Sequence, residues 1–462
     1  MNKKIEDVVK DFNKNHAFVL DGDKSRVFID SKDELMDREF YNSVSVSTFR
    51  EMYEAGSVNC GEDMNGKILI KTPGNAWLSS VKRNQYDGVY FDPSGKQCHR
   101  KLNLWRGFSV PPKAGKWDLI NNHIRAVIAD NNEEVYYYVI GWLALTLQHP
   151  ENQTEVALIL RGQKGCGKGI LGHLIRRLFG NHGMHITSCH HLTGKFNSHL
   201  RDCALLFVDE AMWAGDKQHE SVLKGLITEP VLTIEGKGSN AYQSKNMLSI
   251  LMASNEQWVV PASVDERRFC VLDVSGEFIG NRRYYDPLVK QCNSKPAQAA
   301  MLHYLLNYDL SKFEVRSIPE TDALKEQRAH SMDSLGKWWL NVLSRGFIYK
   351  ARHNSAEFRE WQQHASTTLL KESYLQYCTE QRLGKYDIKD ERELGKFLSN
   401  LYSRKRRRTV LLLGETLDGV PHFSEGLVYY YDLGPLNDTR SKFCDIEKLN
   451  LDFDDNIDAA IT

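Results

Sequence analysis

The sequence predicts an α/β protein built around a buried parallel sheet, and three runs carry that expectation. Val156-Ala157-Leu158-Ile159-Leu160, Ala204-Leu205-Leu206-Phe207-Val208 and Ile250-Leu251-Met252-Ala253 are apolar at every position. That is the pattern of strands covered on both faces. Each run ends in polar groups: Gly162-Gln163-Lys164-Gly165-Cys166-Gly167-Lys168, then Asp209-Glu210, then Ser254-Asn255. Ligands of parallel sheets bind beyond the carboxyl ends of the strands, so the three ends mark one candidate site.

Residues 1–100 read as mixed short strands and helices. Phe18-Val19-Leu20 and Arg26-Val27-Phe28-Ile29 form a hairpin around Asp21-Gly22-Asp23. An Asp-x-Asp after a strand suits a primase metal site, but here the triplet is expected to make the turn itself. Residues 101–150 read as a helical lead-in. Trp117, Ile120, Ile124, Val127 and Ile128 recur at helical spacing, as do Val135, Val139, Trp142, Leu143 and Leu147. These helices either cover one face of the sheet or form a collar.

Residues 151–310 are the expected ATPase core. Gly162, Gly165 and Gly167 let the chain turn tightly around Cys166 and aim backbone N–H groups at a phosphate. Lys168 opens a helix expected over Lys168–Phe179, whose N-terminus favours anions. Its ammonium suits the β- and γ-phosphates of ATP. Gly169 stands where Ser or Thr usually holds Mg²⁺, so the metal is expected to rest on Asp209 and water. Glu210 suits polarising the attacking water, and Asn255 suits orienting it. ATP and Mg²⁺ are the cofactors these residues imply.

Two further features follow. Val231–Glu235 and Met247–Ala253 read as strands joined by the polar stretch Gly236–Lys245, which contains Lys237 and Tyr242 and ends in Lys245. Arg267 and Arg268 precede the apolar strand Cys270-Val271-Leu272; one of them suits an arginine finger, and a surface ion pair is the alternative. Residues 311–365 read as a helical connector in which Trp338, Trp339 and Leu343 pack. Residues 366–440 read as a winged-helix-like domain with helices Thr368–Arg382 and Glu391–Tyr402 and strands Thr409–Leu413 and Leu427–Tyr431. Arg404, Lys405, Arg406, Arg407 and Arg408 lie between helix and wing and can neutralise several phosphates of duplex DNA. Residues 441–462, with Asp445, Glu447, Asp452, Asp454, Asp455 and Asp458, read as a disordered acidic tail.

The order of P-loop, Asp-Glu strand, basic hairpin, Asn strand and Arg pair resembles the superfamily 3 helicases. The helicase part of phage and plasmid primase-helicases related to the poxvirus primase-helicase is the nearest likeness. Leu192-Thr193-Gly194-Lys195-Phe196-Asn197, Asp209-Glu210-Ala211-Met212-Trp213-Ala214-Gly215-Asp216-Lys217 and Thr233-Ile234-Glu235-Gly236-Lys237-Gly238 look like that group. So do Asn103-Leu104-Trp105-Arg106-Gly107 and Pro319-Glu320-Thr321-Asp322-Ala323-Leu324. The resemblance implies an AAA+-like fold and a homo-hexamer with ATP between subunits. It implies Arg268, rather than Arg267, as the finger reaching a neighbour. It places the hairpin in the ring channel, with Lys237 or Lys245 on single-stranded DNA phosphates and Tyr242 stacking or packing. The expected function is an ATP-dependent DNA helicase in replication of a phage, plasmid or mobile element, with a separate primase as a possible partner. The alternatives are an ATP-regulated, origin-binding initiator without processive unwinding, and an ATP-switched interaction protein of an immunity system.

Composition bounds these expectations. The 462 residues carry 60 Lys plus Arg and 60 Asp plus Glu, so any DNA contact must be local. Nine scattered cysteines suit a reducing compartment. His185, Cys189, His190, His191 and His199 are close in sequence but fit no usual zinc spacing. The N-terminus is charged rather than signal-like, and the apolar run Val135–Leu147 is too short for a bilayer. The cytoplasm of a bacterial host, with no membrane partner, is the expected location.

Overall fold

The computed structural model describes residues 3–62, 64–187, 194, 196–210, 217–238, 240–263, 266–348, 361–408, 411–415, 421–424, 427–449, 451 and 453. It falls into two compact units, Met1–Val259 with Arg267–Pro319, and Val260–Glu266 with Glu320–Thr462. The boundary at Pro319 cuts the segment expected as a connector, and its two helices belong with the second unit.

The first unit begins with helix α1 (Ile5–Asn15) and the strands β1 (His16–Asp21), β2 (Lys24–Asp33) and β3 (Arg38–Ser45). With β4 (Gln85–Tyr86) they form a sheet of order β3-β2-β1-β4. Asp21 pairs with Lys24 across the turn, and Gly22 has φ +66°, so Asp-Gly-Asp is the turn. Helices α2 (Asp118–His123) and α3 (Glu133–Gln148) follow, joined through a π-helical turn at Ile124–Ile128. Asn132 caps α3 by accepting from the Val135 N–H at 3.2 Å. Trp142 is fully buried and donates its indole N–H to Val156 O at 2.8 Å, so α3 covers one face of the central sheet.

That sheet comprises β5 (Ala157–Arg161), β6 (Gly183–Ile186), β7 (Leu205–Asp209), β10 (Ser249–Ser254) and β11 (Phe269–Asp273). Its order is β6-β7-β10-β5-β11 and every pairing is parallel. Helix α4 (Lys168–Leu178) leaves β5 and packs back on the sheet. Helices α6 (Arg282–Cys292) and α7 (Lys295–Leu306) close the same core, and α5 (Lys217–Thr228) leads into the hairpin. Among the described residues, no helix is long and apolar enough to cross a membrane.

The hairpin differs from its expected form. β8 (Val231–Ile234) pairs antiparallel with β9 (Tyr242–Lys245), not with the strand after it. Ser249–Ser254 is buried at every position and therefore belongs in the central sheet. The polar stretch thus supplies the return strand, and Lys245 stands opposite Val231 at the hairpin base.

The second unit holds α8 (Asp322–Ser331), α9 (Ser334–Arg345), β12 (His364–Ser366), α10 (Thr367–Glu380) and α11 (Glu391–Leu401). The strands β13 (Ser403–Arg408), β14 (Leu411–Glu415), β15 (Pro421–Ser424) and β16 (Leu427–Asp432) and helix α12 (Leu436–Glu447) complete it. Trp338, Trp339 and Leu343 are buried as expected; the two indoles donate to Ser373 Oγ at 3.1 Å and Tyr402 Oη at 3.0 Å. Two expectations are corrected. The basic run Arg404–Arg408 is not a connection before the wing but the strand β13, which among the described residues pairs with β16 at the edge of the order β12-β16-β13. Asp445 and Glu447 lie on α12, where buried Phe443 anchors the helix, rather than in a structureless tail. Asp452, Asp454, Asp455 and Asp458 lie outside the described residues.

Candidate nucleotide site at the ends of the central strands

β5 ends at Arg161, whose guanidinium grips Asp273 at the end of β11 at 2.5 and 2.6 Å and donates to Gln257 O at 3.1 Å. The loop that follows is shaped by contacts only glycine allows. A Cβ on Gly162 would lie 3.0 Å from Val274 O. Gly165 and Gly167 have φ +86° and +99°, and a Cβ on Gly167 would lie 2.5 Å from His123 Cε1. Lys168 is buried at the start of α4. Its ammonium donates to Gly162 O at 2.7 Å, Gln163 O at 2.9 Å and Asn255 Oδ1 at 3.0 Å, and lies 3.5 Å from Cys166 Sγ. The structure therefore brings Gly162, Gly165, Cys166, Gly167, Lys168 and Asn255 together.

β7 lies one strand beyond β10, and Asp209 ends it, about one third exposed. Glu210 takes φ +60°, an uncommon conformation for a side-chain-bearing residue, held by its N–H donating to Ala253 O at 3.0 Å. Gly169 leaves ordinary space: an added Cβ would meet only His173 Cδ2, at 3.9 Å. No side chain at that position can hold a cation. The donors beside it are instead His173, His185 and Asp209. Burial lowers the pKa of both histidines.

His123 was not read from the sequence as part of the site. It ends α2, is 1% exposed, and contacts Gly167 O through Nε2 at 3.3 Å and Tyr284 Oη through Nδ1 at 3.0 Å. Burial pushes its pKa down to about 4. A lone histidine in a helical run carries no signal of this contact, which spans the fold.

Arg267 and Arg268 are not brought to this site. They precede β11, at the opposite end of the parallel sheet, and Arg268 O accepts from the Ala157 N–H at 2.8 Å. A five-residue strand separates the two ends by roughly 16 Å. Lys237 is exposed at the hairpin turn and Tyr242 is partly exposed, whereas Lys245 donates to Asn152 Oδ1 at 3.1 Å at the base. Asn197 clamps β8: its Nδ2 donates to Thr233 O, and its Oδ1 accepts from the Glu235 N–H, both at 2.8 Å. In the second unit Arg404 lies over the Tyr429 ring at 4.6 Å and Lys405 pairs with Asp432. The side chains of Arg406, Arg407 and Arg408 lie outside the described residues, as do Cys189, His190 and His191.

The run Asn103–Gly107 is a joint rather than a ligand site. Arg106 pairs with Asp30 at 2.7 Å and donates to Tyr41 Oη at 2.9 Å, while its N–H donates to His182 Nε2 at 2.9 Å. It ties the N-terminal sheet to the central one.

Residues 160–268, from the glycine-rich loop to the arginine pair, match a family of unknown function, DUF5906. The chain is 26% identical over 338 residues to the DNA Primase-polymerase of Nitratiruptor phage NrS-1, covering 69% of this chain and 46% of that protein. It thus spans about half the length of that relative. The apo structure of the NrS-1 C-terminal region superposes with a TM-score of 0.61 at 19% identity, covering 92% of this chain and 98% of that one. A second structure of that region, its A form, gives 0.60 at 19% identity, covering 92% and 99%. The chain is homologous to the phage primase-polymerase over the aligned stretch and shares the fold of its C-terminal region.

Proposed function

We propose that this chain is an ATP-dependent DNA helicase motor of superfamily 3 type, acting in phage replication as a ring around single-stranded DNA. One observation carries the reading: the Lys168 ammonium joins the glycine loop to Asn255, beside the strand that ends in Asp209-Glu210. The likeness to a phage DNA primase-polymerase supports the replication setting.

The residues present fit Mg²⁺-ATP. Lys168 already holds its charge on loop carbonyls that a phosphate oxygen would outcompete. Glycine at 162 and 167 admits the close backbone approach that phosphates need. When bound, Mg²⁺-ATP supplies a phosphoryl group for transfer to water. Lys168 would bind the phosphates, Asp209 would hold the cation, Glu210 would take up the water's proton, and Asn255 would orient that water. Arg268 stands too far from its own loop to act there, so it serves a neighbouring subunit's site.

The test is steady-state ATPase with and without single-stranded DNA. Wild type should be stimulated by the strand. Lys168→Ala should lose ATP binding, and Glu210→Gln should bind ATP but turn over at least about 100-fold more slowly. Equal turnover in wild type and Glu210→Gln refutes the assignment. A second reading, an origin-binding initiator, is favoured by exposed Arg404 and Lys405 on an edge strand. Duplex binding with no strand-stimulated turnover and no strand displacement would select it.

A further inference from the structure

We propose that His173, His185 and Asp209 form a binding site for a divalent metal ion of the zinc or cobalt class. Each residue offers one ligand atom, and the three atoms lie within 4.8 Å of one another. His185 Nε2 stands 3.9 Å from Asp209 Oδ2.

The fold builds this cluster from three elements. β6 and β7 run parallel with His185 opposite Phe207. Side chains alternate along a strand, so His185, Phe207 and Asp209 share one face. α4 crosses that face at Gly172, where a Cβ would lie 2.2 Å from Phe207 Cε2. Only glycine admits so close an approach, and it sets His173, the next residue, against the other two. The His185 ring stacks on Phe207 at 5.3 Å and 16°, and the His173 ring stands edge-on to His185 at 4.8 Å and to Phe207 at 5.2 Å. Both rings are thereby held beside the carboxylate before any ion arrives.

The donor set selects the class of ion. Mg²⁺ takes oxygen ligands and keeps its waters, whereas imidazole suits zinc, cobalt and their neighbours. Two imidazoles and one carboxylate also make a three-ligand site that keeps a coordination position open. In a tetrahedral site with bonds near 2.1 Å the donors stand about 3.4 Å apart, so closure needs side-chain shifts on the order of 1 Å. His173 lies beside Gly169, so the site adjoins the place where a P-loop hydroxyl would meet a cation. The proposal does not rest on the ATPase reading, because the three ligands are protein side chains and need no nucleotide.

The experiment titrates untagged, nucleotide-free protein with Co²⁺, read by visible absorption and calorimetry, with Zn²⁺ as competitor. One Co²⁺ per chain is expected, displaced by Zn²⁺. His173→Asn and His185→Asn should each weaken binding at least about 100-fold while circular dichroism stays that of wild type. No saturable binding by wild type, or binding unchanged in both variants, overturns the proposal. If the variants misfold, an anomalous-scattering map of cobalt-soaked wild-type crystals decides: a peak bonded to all three residues supports the site, and a peak elsewhere or none refutes it. Cobalt binding without any ATPase would leave this site standing and sink the motor, and the converse result would do the opposite.

Discussion

His123 holds Gly167 from behind, in a buried position that disfavours a charged ring and leaves no room for a larger residue at 167. Its pKa near 4 lies below the ordinary 6.5, so between those values the unfolded chain binds a proton that the folded chain does not. Stability therefore falls as pH drops from 6.5 towards 4, and the full contribution is present above 6.5. The shift corresponds to about 3 kcal/mol. His123→Gln keeps a hydrogen-bonding group near Gly167 but cannot titrate. Urea unfolding across that pH range should show a flatter profile for the variant by about that amount; superimposable slopes would remove His123 as the acid-sensitive group. Gly169 is the second residue with a specific expectation. A serine there meets only ordinary contact with His173 and adds the missing hydroxyl. Gly169→Ser should lower the Mg²⁺ concentration needed for half-maximal ATP binding roughly fivefold, on the order of 1 kcal/mol for one added oxygen ligand. An unchanged Mg²⁺ requirement would show that the cation does not sit beside that turn of α4.

The hairpin β8–β9 separates its two lysines, with Lys237 at the turn and Lys245 opposite Val231 at the base. Under the proposed ring reading the turn is the part that would enter a channel, so the contact with a strand would fall to Lys237. Lys237→Ala should keep basal ATPase and lose most strand displacement, as measured by release of a labelled oligonucleotide; normal displacement would place the contact elsewhere. This element also shows why sequence reading succeeds in one place and fails in the next. The strands over 157–161, 205–209 and 249–254 are apolar on both faces, a local pattern that only a covered sheet satisfies. Tyr242-Gln243-Ser244-Lys245 has no such pattern. It is a strand because its backbone pairs with β8, itself clamped by Asn197 from a distant loop. The metal-ligating cluster was hidden for the same reason. His185 was weighed with the cysteine and histidines just after it, whereas its partners lie on α4 and β7. The tight turn at Gly165 and Gly167, by contrast, is legible because turn chemistry is local.

At the scale of the whole molecule, the glycine-rich loop and the arginine pair occupy opposite ends of one sheet. Under the proposed reading Arg268 completes a neighbouring chain's site, so that reading predicts an activity that depends on assembly. Arg268→Ala should bind ATP and hydrolyse little. Mixed in equal amounts with Lys168→Ala, which keeps its arginine but not its lysine, it should recover roughly a quarter of wild-type turnover if neighbours are randomly placed in a ring. Absence of any recovery after subunit exchange would place the finger elsewhere. The division of the chain has a practical consequence for anyone cutting the molecule. Residues 260–266 sit among the parts of the second unit, then the chain returns for β11. Val260 N–H donates to Gln327 Oε1 at 3.2 Å and Ala262 N–H to Ser331 Oγ at 3.0 Å. A truncation after residue 319 would strip both partners and leave apolar Val260 and Ala262, buried in the intact chain, beside two orphaned amides just ahead of the arginine pair. The first unit is therefore not a module that one stop codon can release.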